Sequence, residues 1–200
     1  MNAFRRLILS IFKLAYFKIR FGKRLEIKSI RQNFKLDTEI FVGKNAFLSM
    51  WDVWFKTNVH LLCHHGEMHI GSRVSFGRNC IAVCRHKIEI GDRCLFGPNV
   101  CIYDHDHAYT ADGVSPSEFK CSEIIIEDGC WIGAGVIILR GAHIGRNTVI
   151  EAGSVIKGVV PPDSIATTIR KTRFIPASFF TAKSKMGACA DTAAEGNSIE

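Results

Sequence analysis

From residue 126 onward the hydrophobic positions of this chain recur every six residues. Ile126, Ile132, Ile138, Ile144, Ile150 and Ile156 open the blocks IEDGCW, IGAGVI, ILRGAH, IGRNTV, IEAGSV and IKGVVP without a slip. The same beat runs through IGSRVS and FGRNCI from residue 70, and through IGDRCL, FGPNVC and IYDHDH from residue 90. A fainter pair, VGKNAF and LSMWDV, begins at Val42. A period of six is neither the 3.6 of a helix nor the 2 of an alternating strand. It predicts an all-β solenoid, in which each coil is completed by its neighbours. The Ile of each block points inward and stacks on the next coil. The small residue four positions later (Val74, Cys80, Cys94, Val100, Cys130, Val136, Thr148, Ser154) fits beside a corner, and Gly relieves the turn between flat faces. Three blocks make one triangular coil of 18 residues.

The beat stops at AYTADGVSPSEFKCSEII, residues 108–125, and resumes at Ile126. Its Gly, Ser and Pro content predicts a loop over 108–123 that leaves the solenoid, and loops on a rigid scaffold are where binding and catalysis concentrate. At the root of this loop stands YDHDH, residues 103–107. Asp106 occupies the slot that Val, Cys, Thr or Ser fills in other blocks, and a broken local rule marks function. His105 and His107 are two apart and share a face if the backbone stays extended. Three readings remain open at this point: a metal site, with His64, His65 or His86 supplying a third ligand; a base with an orienting acid; or a polar turn.

Composition adds limits. Two hundred residues at 47% hydrophobic suit one domain with an ample core. The eight cysteines form no CxxC pair, and the apolar run LILSIF (7–12) is too short for a signal peptide or a bilayer span. A reducing, cytoplasmic compartment is expected, with the cysteines as small apolar side chains. The formal charge of +7 is concentrated in residues 1–35, and no nucleic-acid-binding motif accompanies it, so no nucleic-acid partner is expected. On a helical wheel Phe4, Leu7, Ile8, Ile11, Ala15 and Ile19 share one side, while Arg5, Arg6, Lys13 and Arg20 gather opposite, with Lys18 the exception. Such an amphipathic helix either caps the open end of the solenoid or adsorbs, through residues 1–24, to an anionic cytoplasmic membrane face. The aromatic residues of SMWDVWF (49–55) either finish the first coil or stack on a sugar. The expected organisation is a basic N-terminal helix and cap over 1–35, the repeats over 36–162, a C-terminal cap over 163–182 and a disordered tail over 183–200.

Over residues 40–162 these blocks resemble the hexapeptide-repeat acyltransferases, of the sugar O-acetyltransferase type. The resemblance implies a left-handed parallel β-helix that assembles as a homotrimer, with active clefts between adjacent β-helices. It implies acetyl-CoA as acyl donor, no metal, and a saccharide hydroxyl as acceptor in surface polysaccharide biosynthesis. Aligning VCIYDHDH on the family's catalytic block puts the base at His107, assisted by His105, Asp104 or Asp106. In CWIGAGVI (130–137) the match places Trp131 close to the active site and Gly133 and Ala134 beside the thioester arm. Ala152, in IEAGSVI, matches a residue whose backbone amide bonds the pantetheine. After VVPPDSI the family continues with an AGNPA-like segment, whereas this chain reads ATTIRKTRFIP. Lys157, Arg170 and Lys171 are then the candidates for the phosphates. The alternatives are N-acetylation of an amino sugar, a zinc enzyme like the γ-class carbonic anhydrases that share this fold, and a binding solenoid without catalysis.

Overall fold

The structure is a computed structural model that describes residues 3–29, 32–111 and 113–168. Helix α1 (Ala3–Phe21) precedes a parallel β-solenoid with three faces. The first face has seven strands, from Leu25–Ile27 to Val159–Val160. The second has six, from Val53–Phe55 to Ile165–Ala166, and the third has six, from Glu39–Val42 to Val155–Ile156. All neighbours within these faces pair in parallel, as expected for a left-handed β-helix of hexapeptide repeats. Strands therefore begin inside the segment expected as N-terminal cap, and they continue past 162. The rest of the expected C-terminal cap, Arg170, Lys171 and the tail 183–200 lie outside the described residues.

The repeat does what its period predicts. Ile126, Ile132, Ile138, Ile144, Ile150 and Ile156 are buried in one continuous core. The small slots carry a second duty. Cys80 Sγ donates to Gly97 O (3.1 Å), Cys94 Sγ to Glu127 O (3.2 Å), Cys130 Sγ to Gly145 O (3.2 Å) and Thr148 Oγ1 to Pro161 O (2.9 Å). Each of these four side chains thus satisfies a carbonyl of the next coil's corner, which a buried main chain requires. Burial pushes the Cys80 thiol up to about 11, away from thiolate chemistry. The Asn of FGRN and FGPN is explained at the corners: Asn58, Asn79 and Asn99 adopt positive φ of 57–59°. Their side-chain amides form a ladder, Asn58 to Asn79 at 3.1 Å and Asn79 to Asn99 at 3.0 Å. Asn tolerates this left-handed backbone better than other non-glycine residues.

Coil length departs from the expected 18. In-register partners differ by twenty or twenty-one residues through most of the first half, Met68 on Ile88 and His60 on Ile81, by eighteen in the second, Ile126 on Ile144, and by sixteen at its end, His143 on Val159. The longer coils hold an extra inward position at the corner between the third and first faces. Cys63 and Cys84 fill it and stack in register. In the next coil Asp104 follows Tyr103, the partner of Val83, and so takes the same slot. Close stacking makes this corner intolerant of side chains. A Cβ on Gly66, whose φ is +68°, would sit 1.9 Å from His86 O. Gly66→Ala is expected to destabilise the fold by at least about 1–3 kcal/mol, read as a lower urea midpoint.

Helix α1 caps the solenoid, though not with the side the wheel selects. Ser10, Phe17 and Phe21 are buried and Leu14 packs against the core, whereas Ile11 and Ile19 are exposed. The reason is an aromatic column inside the coils: Phe34, Phe55, Phe76 and Phe96 stack with centroids 5.3, 6.0 and 4.7 Å apart. Phe17 ends this column edge-on to Phe34 at 5.6 Å, so the helix turns its 10/14/17/21 stripe inward. Lys13, expected on the polar side, instead donates through Nζ to the carbonyls of Leu36 (2.7 Å) and Thr38 (3.0 Å).

Candidate active site

The expected loop is a two-stranded antiparallel hairpin, His105–Thr110 against Gly113–Cys121, rooted at the corner between the third and first faces. Asp104, fully buried just before it, fastens the root. Its Oδ1 accepts the Arg85 N–H (2.9 Å) and the His105 Nδ1–H (2.9 Å). Its Oδ2 accepts the N–H groups of His86 (2.7 Å) and Lys87 (2.9 Å), with a longer share of Arg85 N–H at 3.0 Å. The carboxylate therefore ties the hairpin to the corner of the preceding coil. Buried without such donors, a charge there would be strongly unfavourable.

Both histidines have a defined tautomer. His105 Nδ1–H is held by Asp104, and its side chain is only 12% exposed, edge-on to Phe119 at 5.4 Å. His107 Nδ1–H donates to Ser115 O at 3.0 Å across the hairpin, and its exposed ring lies 4.6 Å from that of Phe119. In each case the oxygen acceptor requires the proton on Nδ1, so the neutral ring carries its lone pair on Nε2, the form that can accept a proton from a substrate. The Arg85 guanidinium stacks on Phe119, 3.5 Å from its centroid. Arg85, Ser115 and Phe119 were not singled out in the sequence; an aromatic residue in a polar loop was the available signal for Phe119.

Asp106 corrects the hexad count. It does not enter the small slot: it is exposed on the hairpin and pairs with Arg140 Nε at 2.5 Å. The chain leaves the solenoid at His105, so the count slips and the inward acid is Asp104. Of the other histidines, burial first, then the charges of Arg85, His105 and His65, hold the His64 imidazole below its usual range. Its ring packs 5.1 Å from Phe41. Among the described residues no three His, Cys, Asp or Glu side chains are grouped to hold a metal ion.

The residues matched to the coenzyme lie elsewhere. Trp131 points outward from the second face, 56% exposed, between Leu95 and Val149 on the neighbouring strands. Gly133 and Ala134 form the corner between the second and third faces, where a Cβ on Gly133 would sit 2.6 Å from the N of Ala152 in the next coil. Lys157 follows Ile156 at the corner that carries the histidines, two coils on. In a triangular solenoid the second face lies opposite that corner. One chain therefore brings His105, His107 and Lys157 to one side and Trp131 to the other. Trp51 lines a separate groove of about 580 Å³ on the first face, with Ser49, His69 and Glu89.

Residues 123–158 match the family model for the bacterial transferase hexapeptide (six repeats). The chain is 34% identical over 100 residues to the galactoside O-acetyltransferase of Lactococcus lactis subsp. lactis strain IL1403, covering 50% of this chain and 48% of that protein. Against the galactoside O-acetyltransferase of Escherichia coli K12 it is 30% identical over 128 residues, covering 64% and 59%. The chain thus spans between about half and six-tenths of the length of these relatives. Among solved structures, AntD, an N-acyltransferase from Bacillus cereus in complex with dTDP and 3-hydroxybutyryl-CoA, is similar with a TM-score of 0.63. At 16% identity over 86% of this chain and 93% of that one, this is a likeness of fold.

Proposed function

We propose that this hexapeptide-repeat protein is a coenzyme-A-dependent acetyltransferase that moves acetyl from acetyl-CoA to a saccharide hydroxyl, with His107 as the base. We place it at the cytoplasmic side of surface polysaccharide assembly. The observation that carries the reading is the exposed His107 imidazole, its Nδ1–H tied to Ser115 O and its Nε2 without a hydrogen-bond partner among the described residues, on a β-helix whose relatives include galactoside O-acetyltransferases. Nε2 takes the proton of the acceptor hydroxyl as its oxygen attacks the thioester carbonyl. Backbone amides stabilise the oxyanion. Collapse breaks the C–S bond, and the departing thiolate recovers the proton from the imidazolium. His105, locked on Asp104, positions the hairpin root; Asp106 holds Arg140.

In this reading Trp131, Gly133, Ala134 and Ala152 border the thioester arm and Lys157 meets a phosphate. The exposed indole of Trp131 and the side-chain-free corner at Gly133 suit a flexible, partly apolar chain. Because Trp131 and His107 lie on opposite sides of one solenoid, each cleft would join the hairpin of one chain to the second face of another. A homotrimer supplies three such clefts. The exposed outward residues Trp54, Leu95, Trp131 and Ile165 of the second face support a face covered by a second copy. No described helix is long and apolar enough to cross a membrane.

An amine acceptor would use the same imidazole, so N-acetylation of an amino sugar is the second reading, and the acceptor decides between them. The test is thiol release from acetyl-CoA against a panel of neutral sugars and amino sugars. Turnover is expected with a neutral sugar. Turnover with amino sugars alone would select N-transfer, and silence with every acceptor, together with no heat of coenzyme A binding, would overturn the transferase.

A further inference from the structure

We propose that the outward side of helix α1 is a docking surface for an anionic lipid bilayer. The inference stands on the helix alone and is independent of the acyl-transfer reading.

The capping duty of α1 is complete on one side. Ser10, Phe17 and Phe21 are buried there, and Phe17 closes the aromatic column of the solenoid. A cap whose other side met only water would be polar on that side. The other side of α1 is not. Phe12 is 70% exposed, Tyr16 56%, Ile19 85% and Ile11 51%, and Leu36 from the adjoining segment adds a further side chain at 74%. Residues 12, 16 and 19 follow the i, i+4, i+7 spacing of one helical face, with 11 and 15 beside them. These are large side chains gathered in one place, not the scattered surface apolar residues that need no explanation.

Charge selects the occupant. Residues 1–25 contain no Asp or Glu, and the last turn of α1 carries Lys18 and Arg20, with Lys23 just after it. Arg20 and Lys23 are exposed beside the apolar stripe; Lys13 is spent on carbonyls of the capping loop, and Lys18 donates through Nζ to Leu25 O. An apolar stripe flanked by cations, on a helix that carries no acid of its own, suits a headgroup boundary, where the stripe enters the acyl region and the cations meet phosphates; the exposed Asp37 and Glu39 stand beside it, in a groove with Tyr16, Arg20 and Leu36. Tyr16, with an apolar ring and a polar tip, suits the same boundary. Nucleic acid would satisfy the charge but leave Phe12 and Ile19 in water.

The test is co-sedimentation of the full chain with phosphatidylcholine vesicles prepared with and without phosphatidylglycerol. Wild type is expected to pellet with the anionic vesicles, and less so at high salt. Phe12→Ser combined with Ile19→Ser is expected to weaken binding at least tenfold with an unchanged thermal midpoint, since neither side chain is in the core. Arg20→Gln combined with Lys23→Gln is expected to weaken it by about fivefold per charge, the value for a cation near an anionic surface. A wild type that stays in the supernatant at every composition would overturn the inference. So would binding that survives the Phe12/Ile19 change. A wild type that ignores vesicles but falls to a smaller oligomer on that change would assign the face to a protein interface instead.

Discussion

Replacing His107 by Ala is expected to lower acetyl transfer by about 10²- to 10⁴-fold, the usual contribution of a positioned general base, with little change in the thermal midpoint. The ring is exposed and its one described hydrogen bond goes to Ser115 O at 3.0 Å, so its loss opens no cavity in the core. His107→Asn refines the experiment. The Asn amide can still donate to Ser115 O and keep the hairpin closed, yet it has no lone pair basic enough to take a hydroxyl proton. The same loss in both variants would separate proton transfer from hairpin geometry. His105→Ala is the necessary partner. Its imidazole shares the buried Asp104 carboxylate with three backbone amides, so its loss should disturb the hairpin root and show in stability as well as rate. Full activity in both His107 variants, with activity abolished only by His105→Ala, would move the base to His105.

Asp104→Asn should be the most damaging isosteric change in the chain. Either orientation of the new amide sets its NH₂ against donors: at the Oδ1 position against Arg85 N–H and His105 Nδ1–H, at the Oδ2 position against His86 and Lys87 N–H. With each buried donor left unpaired costing about 1–3 kcal/mol, a loss of about 3 kcal/mol or more is expected. A lower urea midpoint would report it. Faster amide hydrogen exchange at residues 85–87 would locate it at this corner and not across the solenoid. Stability equal to wild type would mean that the carboxylate does not hold the hairpin.

The period of six determined a great deal without coordinates. A strict spacing of Ile with small residues between is a statement about stacking; hence the three faces, the buried Ile126 to Ile156 series and the small buried slots of Cys80, Cys94 and Cys130. The break after YDHDH likewise marked the hairpin, because a charged cluster and a polar excursion cannot sit in such a column. What the chain could not reveal by itself were relations set by register between coils some twenty residues apart. That Asp104 and not Asp106 points inward depends on an extra position shared with Cys63 and Cys84, which a count of six passes over. The partners of Asp104 are backbone amides, and a backbone amide leaves no mark in a sequence. The helical wheel found an amphipathic helix but not its buried side, since Phe17 was chosen by an aromatic column assembled from Phe34, Phe55, Phe76 and Phe96. Only the closed triangle of the coil set Trp131 and His107 on opposite sides, because local periodicity determines which way a side chain faces, while the closure of the coil determines what it faces.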